Sequence, residues 1–189
     1  MCKHHLHFYE DDYPAQQVSD FLAEGLEAGD SGLLVLTQAH RQAVEHCLRM
    51  CGVHYEDACV FVDTDEALAQ VRASGSVDLR LTREVLTAFM SPAARGVLQR
   101  VRTVGDLAPT LCAMGEVDEA IAIEALVHSL NQEHGGFTLC AYALPQRADG
   151  FDMRLLYRLS AEHNAIHFPS QLWTERLALP VRAGHGANA

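Results

Sequence analysis

Four soft donors crowd into one short stretch, Cys47, Cys51, His54 and Cys59. Cys47 and Cys51 stand four apart, so on a helix their thiols share one face. His54 and Cys59 follow closely enough to add nitrogen and sulfur ligands for a soft transition metal such as zinc or copper(I). The spacing is not that of a recognised zinc motif, and the thiols also fall on the stripe of Val44 and Leu48. Core packing is therefore the simpler reading, with metal binding and a thiol redox role as its alternatives. No other cofactor is expected. His4, His5 and His7 form a further donor group, but alternation along a strand sends His5 and His7 to one face and His4 to the other.

A different chemistry gathers where strands end. Tyr9-Glu10, Gly105-Asp106 and Cys140-Ala141-Tyr142 each close an apolar run, and in open α/β sheets ligands bind beyond the carboxyl ends of strands. His7, Tyr9, Glu10, Asp106, Glu124, Cys140 and Tyr142 are the candidate ligand-binding residues, offering phenols, carboxylates and a thiol around an apolar floor. Their structural alternative is that the tyrosines fill the sheet edge and the acids cap helices. Glu124 lies among Ile121, Ile123, Leu126 and Val127, so if it faces inward it needs a partner, and Arg102 is a candidate.

The elements that must hold these residues alternate between a hydrophobic period of two and one of 3.6. Strands are expected at Leu6–Phe8, Leu33–Leu36, Cys59–Val62, Arg100–Val104 and Phe137–Tyr142. Helices are expected after Pro14, after Thr37, after Asp63, over Leu81–Met90, up to Gly115, from Val117 to His134 and from Met153 to His163. This is an α/β fold, a mainly parallel sheet flanked by helices in a single domain. The domain is placed at residues 4–168, with a partly mobile C-terminal extension over 169–189.

The opening strand, amphipathic helix, Glu27-Ala28-Gly29-Asp30 and second strand resemble the start of RecA/KaiC-type ATPases. Where such a protein has its phosphate loop, this chain has Tyr9-Glu10-Asp11-Asp12-Tyr13-Pro14, with neither glycine nor lysine, and its sole lysine is Lys3. Three carboxylates there repel a triphosphate. Catalysis finds no other support, since the chain lacks a Gly-x-Ser-x-Gly elbow.

Taken in order, His5-Leu6-His7-Phe8-Tyr9-Glu10, Phe21 to Asp30, His40-Arg41, Gly52, Val101 to Leu107, Ile123-Glu124-Ala125-Leu126 and Leu139 to Tyr142 resemble a MEDS sensory domain, the methanogen/methylotroph type found in the dichloromethane regulator DcmR. The chain departs from the family's usual residues at Gly105-Asp106-Leu107 and Val127-His128. The resemblance implies a RecA/KaiC-like relative that senses a small molecule and acts on an output module. With no such module in this sequence, a separate regulator or kinase is the expected partner.

The 189 residues carry 14 basic against 25 acidic side chains, a net charge of −11. That balance argues against direct nucleic-acid binding. The absence of a long apolar segment argues against a membrane span and, with no signal-type start, for the cytoplasm. The expectation is thus a non-catalytic sensory domain. Its alternatives are a residual NTPase or phosphotransfer enzyme, a metal or thiol redox sensor, and a homo-oligomeric assembly protein.

Overall fold

Periodicity sets the layers from the first strand onward. Along β1 (Lys3–Tyr9) the side chains of His4, Leu6 and Phe8 are fully buried, while His5, His7 and Tyr9 are only partly covered. The computed structural model describes residues 3–73, 75–90, 100–144, 146–147 and 150–169. After β1 the chain runs through α1 (Ala15–Glu27), β2 (Ser31–Leu36), α2 (Gln38–Met50), β3 (Cys59–Asp63) and α3 (Thr64–Val71). A small hairpin, β4 (Arg72–Ala73) and β5 (Ser76–Val77), leads to α4 (Leu79–Met90), β6 (Val101–Gly105), α5 (Leu107–Ala113) and α6 (Val117–His134). Then come β7 (Phe137–Ala143), a second hairpin of β8 (Gln146–Arg147) and β9 (Gly150–Phe151), α7 (Met153–Ala161) and β10 (Ala165–His167).

Six strands form one sheet in the order β10-β1-β7-β6-β2-β3, every neighbouring pair parallel. Every residue of β2 is buried, as befits a continuous apolar run covered on both faces. Leu34 and Leu36 pack with Val18 and Leu22 of α1 and Val44 and Leu48 of α2. Leu33 and Val35 join the opposite layer, built from α3, α4, α5, α6 and α7.

Local chemistry fixes the element ends. Thr37 accepts the His40 N–H at the start of α2, and Asp63 accepts from Asp65 and Glu66 at the start of α3. Gly135 takes a left-handed φ of 69° at the C-terminus of α6, which a side chain would resist. α4 is described as far as Met90, and the expected stop ahead of Pro92 lies outside the described residues with the rest of 91–99, as does the expected extension beyond Pro169.

Two expectations are corrected. The last helix stops at Ala161 instead of reaching His163, and the chain then turns into β10 beside β1. The turn is held by Asn164, whose Oδ1 accepts the His4 N–H at 3.0 Å while its own N–H donates to the His4 carbonyl at 2.7 Å. Arg102 does not pair with Glu124. It extends to the α1 side, where Nε meets Asp30 at 3.1 Å, Nη1 donates to the Phe21 carbonyl at 2.8 Å and Nη2 meets Glu24 at 3.4 Å. A Cβ at position 25 would lie 2.2 Å from Arg102 Nε, so Gly25 is what admits this side chain.

Candidate functional site

Beneath β1 and β7, on the α6 side, His4, Glu124, Cys140 and His163 bring one donor atom each to within 4.8 Å of one another, all buried. The strand register sets Leu6 opposite Cys140, and α6 crosses both strands, carrying Glu124 onto the thiol. Glu124 Oε2 lies 3.1 Å from His4 Nε2, 3.5 Å from His163 Nε2 and 3.3 Å from Cys140 Sγ. Its other oxygen accepts the Tyr142 hydroxyl at 2.5 Å. His163 lies in the turn between the C-terminus of α7 and Asn164, its N–H donating to the Ser160 carbonyl at 3.3 Å.

Both imidazoles are oriented from behind. His4 Nδ1 lies 2.9 Å from the Glu162 carbonyl and His163 Nδ1 lies 2.7 Å from the Leu159 carbonyl. A carbonyl only accepts, so each Nδ1 carries a proton and each Nε2 turns toward Glu124. Burial pushes His4 toward its neutral form. Burial opposes ionisation of Glu124 as well, but hydrogen bonds from His163 and His4 outweigh it and hold the carboxyl well below the usual range. The Cys140 thiol and Tyr142 phenol are pushed up, by burial first and by Glu124 second.

Glu124 and Cys140 also form part of the wall of a cavity of ≈ 40 Å³ between the sheet and helices α3 to α6. The rest of the wall is almost wholly apolar, with Val35, Val62, Val85, Phe89, Ile123 and Val127 among its residues. Thr103 lines it too, and the Thr103 hydroxyl is buried without a hydrogen-bond partner. Gly105 is another wall residue, and a Cβ there would meet nothing within 4 Å.

The residues expected to share one ligand site therefore separate into three places. Glu124, Cys140 and Tyr142 lie together under the sheet. Asp106 closes β6 and braces α2, its Oδ2 accepting the Thr37 N–H at 2.9 Å and lying 2.7 Å from His40 Nδ1. The Tyr13 ring stacks on His40 at 3.7 Å with Tyr9 edge-on to it, and burial raises the Tyr13 phenol. His7, Tyr9 and Glu10 line an open groove at the β1 terminus together with Asp11 and Asp12. Alternation causes the division, because Leu6, Phe8, Cys140 and Tyr142 face the α6 layer while His7 and Tyr9 face away from it.

The candidate metal cluster of Cys47, Cys51, His54 and Cys59, the alternative to core packing, does not form a convergent donor group. Cys47 is half-buried, Cys51 and His54 are exposed and Cys59 is buried. Among the described residues, the convergent donor group is the one around Glu124. Cys51 caps the C-terminus of α2, whereas the Cys59 sulfur packs on Gly32 across the β2–β3 ladder, where a Cβ would lie 2.5 Å from it.

His163 is the member that sequence reasoning passed over, and His4 was weighed only as a donor beside His5 and His7, not as a partner of Glu124. For His4 a signal existed: a histidine in phase with Leu6 and Phe8 is an inward one, and a buried imidazole needs partners. His163 gave none, since its place depends on a side-chain clamp at Asn164.

Fold and sequence together define a helix-flanked parallel α/β domain whose first strand-to-helix loop lacks the residues of a phosphate loop. The sequence model of the MEDS domain, "MEthanogen/methylotroph, DcmR Sensory domain", matches residues 3–164, and the chain belongs to that family of sensory domains. The matched span takes in all four members of the buried cluster. No curated protein matches the chain.

Proposed function

We propose that this sensory domain binds a small, largely apolar molecule in the cavity between the sheet and α3 to α6, without catalysis, and signals through a separate output protein. The observation that carries this reading is the Thr103 hydroxyl, unpartnered in the wall of an apolar cavity. Buried polar groups without partners are rare in native proteins and mark places where something else supplies the bond. Size narrows the ligand. A cavity of about 150 Å³ admits benzene, so ≈ 40 Å³ suits a molecule of only a few heavy atoms and excludes a nucleotide.

Descent from a RecA/KaiC-type fold is part of the same reading, supported by the all-parallel sheet and the strand–loop–helix opening. A cytoplasmic setting fits the free thiols at Cys47, Cys51, Cys59, Cys112 and Cys140. No helix among the described residues is long and apolar enough to cross a membrane. Output requires that occupancy favour one arrangement of α3 to α6, which a transcriptional regulator or kinase then reads.

Methyl-labelled protein titrated with short-chain alcohols and halides, with benzene and ATP as oversize controls, tests the proposal. Saturable shifts are expected at Val35, Val85, Ile123 and Val127. Thr103→Val is expected to weaken alcohols by about tenfold, the worth of one neutral hydrogen bond, and to leave halides unchanged. A folded protein that saturates with none of the small probes contradicts the reading.

A further inference from the structure

We infer that His4 Nε2, His163 Nε2, Cys140 Sγ and Glu124 Oε2 form a tetrahedral binding site for a borderline divalent metal, zinc being the best match. The geometry is the first ground. Ligands about 2.1 Å from a tetrahedral zinc stand ~3.4 Å from one another. Four of the six separations match: 3.1, 3.5 and 3.3 Å from Glu124 Oε2 to the other three donors and 3.4 Å from Cys140 Sγ to His4 Nε2, while the two remaining pairs, from His163 Nε2 to His4 and to Cys140, lie within 4.8 Å and would close in on the ion. A charge-assisted N–H···O bond would draw the imidazoles in to about 2.7–2.9 Å.

The second ground is an orphaned atom. The His163 side chain is fully buried and its Nε2 has no hydrogen-bond partner, although it aims at the carboxylate. Both Nδ1 atoms face carbonyls, so the two Nε2 atoms are the ones left to face the carboxylate oxygen, and as neutral imidazoles they would offer lone pairs to a cation held between them. The third ground is the surrounding shell. Metal-bound histidines usually donate their other nitrogen to a carbonyl or carboxylate, and bound carboxylates are themselves hydrogen-bonded. Both features are present, at Glu162, Leu159 and Tyr142.

The charges close as well. One divalent ion with one thiolate, one carboxylate and two neutral imidazoles is net neutral, a requirement of a dry core. On binding, the Cys140 thiol proton and any proton held between an Nε2 and Glu124 leave to solvent, and bonds from the sulfur and the nitrogens to the metal replace them. The inference is independent of what fills the neighbouring cavity, because it is read from the metal alone.

Full-length protein purified without chelator, stripped, and titrated with Co²⁺ tests it. One equivalent is expected to bind with the visible bands of tetrahedral cobalt and a sulfur-to-cobalt charge-transfer band in the near ultraviolet, and Zn²⁺ is expected to displace it. Cys140→Ser should abolish the charge-transfer band, and His163→Gln should weaken affinity beyond the ~100-fold typical of losing a second-shell partner. Cys51→Ser with His54→Ala, away from the cluster, should change neither, and circular dichroism monitors folding of each variant. Folded wild-type protein that takes up no Co²⁺, or takes it up in octahedral form without sulfur, overturns the site. So does a wild-type spectrum that the Cys51/His54 variant erases. Either result leaves a proton-linked hydrogen-bond cluster instead.

Discussion

Arg102 is 5 % exposed and Asp30 equally so, and the guanidinium also reaches the Phe21 carbonyl and lies over the Phe21 ring at 4.9 Å. Removing one partner of a buried pair leaves the other charge uncompensated, at about 3–5 kcal/mol. Asp30→Ala is expected at the lower end, near 3 kcal/mol, because the exposed Glu24 carboxylate still reaches Nη2. The measurement is a urea midpoint that falls with an unchanged slope, and a change under about 1 kcal/mol would contradict the assignment. Reactivity offers a second residue-scale prediction. Burial, with Glu124 adding to it, pushes the half-buried Cys112 thiol up to about 11, which at pH 8 leaves about one thiolate in a thousand. Alkylation mapped by mass spectrometry should therefore modify the exposed Cys51 well before Cys112.

Among the elements, β10 depends most on a single side chain. Its three residues pair in register with His5, Leu6 and His7, and the turn leading into it is pinned by Asn164 on both backbone groups of His4. Asn164→Ala deprives the His4 N–H of its partner, a loss of about 1–3 kcal/mol for a buried donor. The expected outcome is faster amide exchange at His4 and across Ala165–His167, with β6 and β7 unchanged. The same dependence explains why this element was illegible in the sequence. The continuous run at Leu33–Leu36, the Thr37 cap and the long α6 stripe ended by Gly135 are local signals, and each could be read directly. A three-residue edge strand carries no periodicity, and what creates it is a contact between Asn164 and a strand at the opposite end of the chain. His163, and with it half the histidine content of the buried cluster, was hidden for the same reason.

At the scale of the molecule, the sheet divides the helices into two layers, α1 and α2 on one side and α3 to α7 on the other. Alternation within single strands decided which polar residues met. The fold class was readable because its strands and helices announce themselves by period, whereas the site was only partly so. Cys140 and Tyr142 could be placed near Glu124 only once the register of β1, β7 and the crossing of α6 were known. That division makes a sharp prediction for signalling. A ligand in the cavity touches α3, α4, α5 and α6 and no residue of α1 or α2, so hydrogen exchange under a saturating small probe should slow in the first group and stay constant in the second. At a free concentration 100-fold above Kd the whole domain gains about 2.7 kcal/mol, and the added protection should be unevenly shared because local openings of α3 and α4 are suppressed beyond the global term. Slowing confined instead to residues 10–13 and α1 would move the ligand to the open groove beside Tyr9 and Glu10, where an acidic lining selects a polar or cationic molecule, and would make that loop the moving part of the sensor.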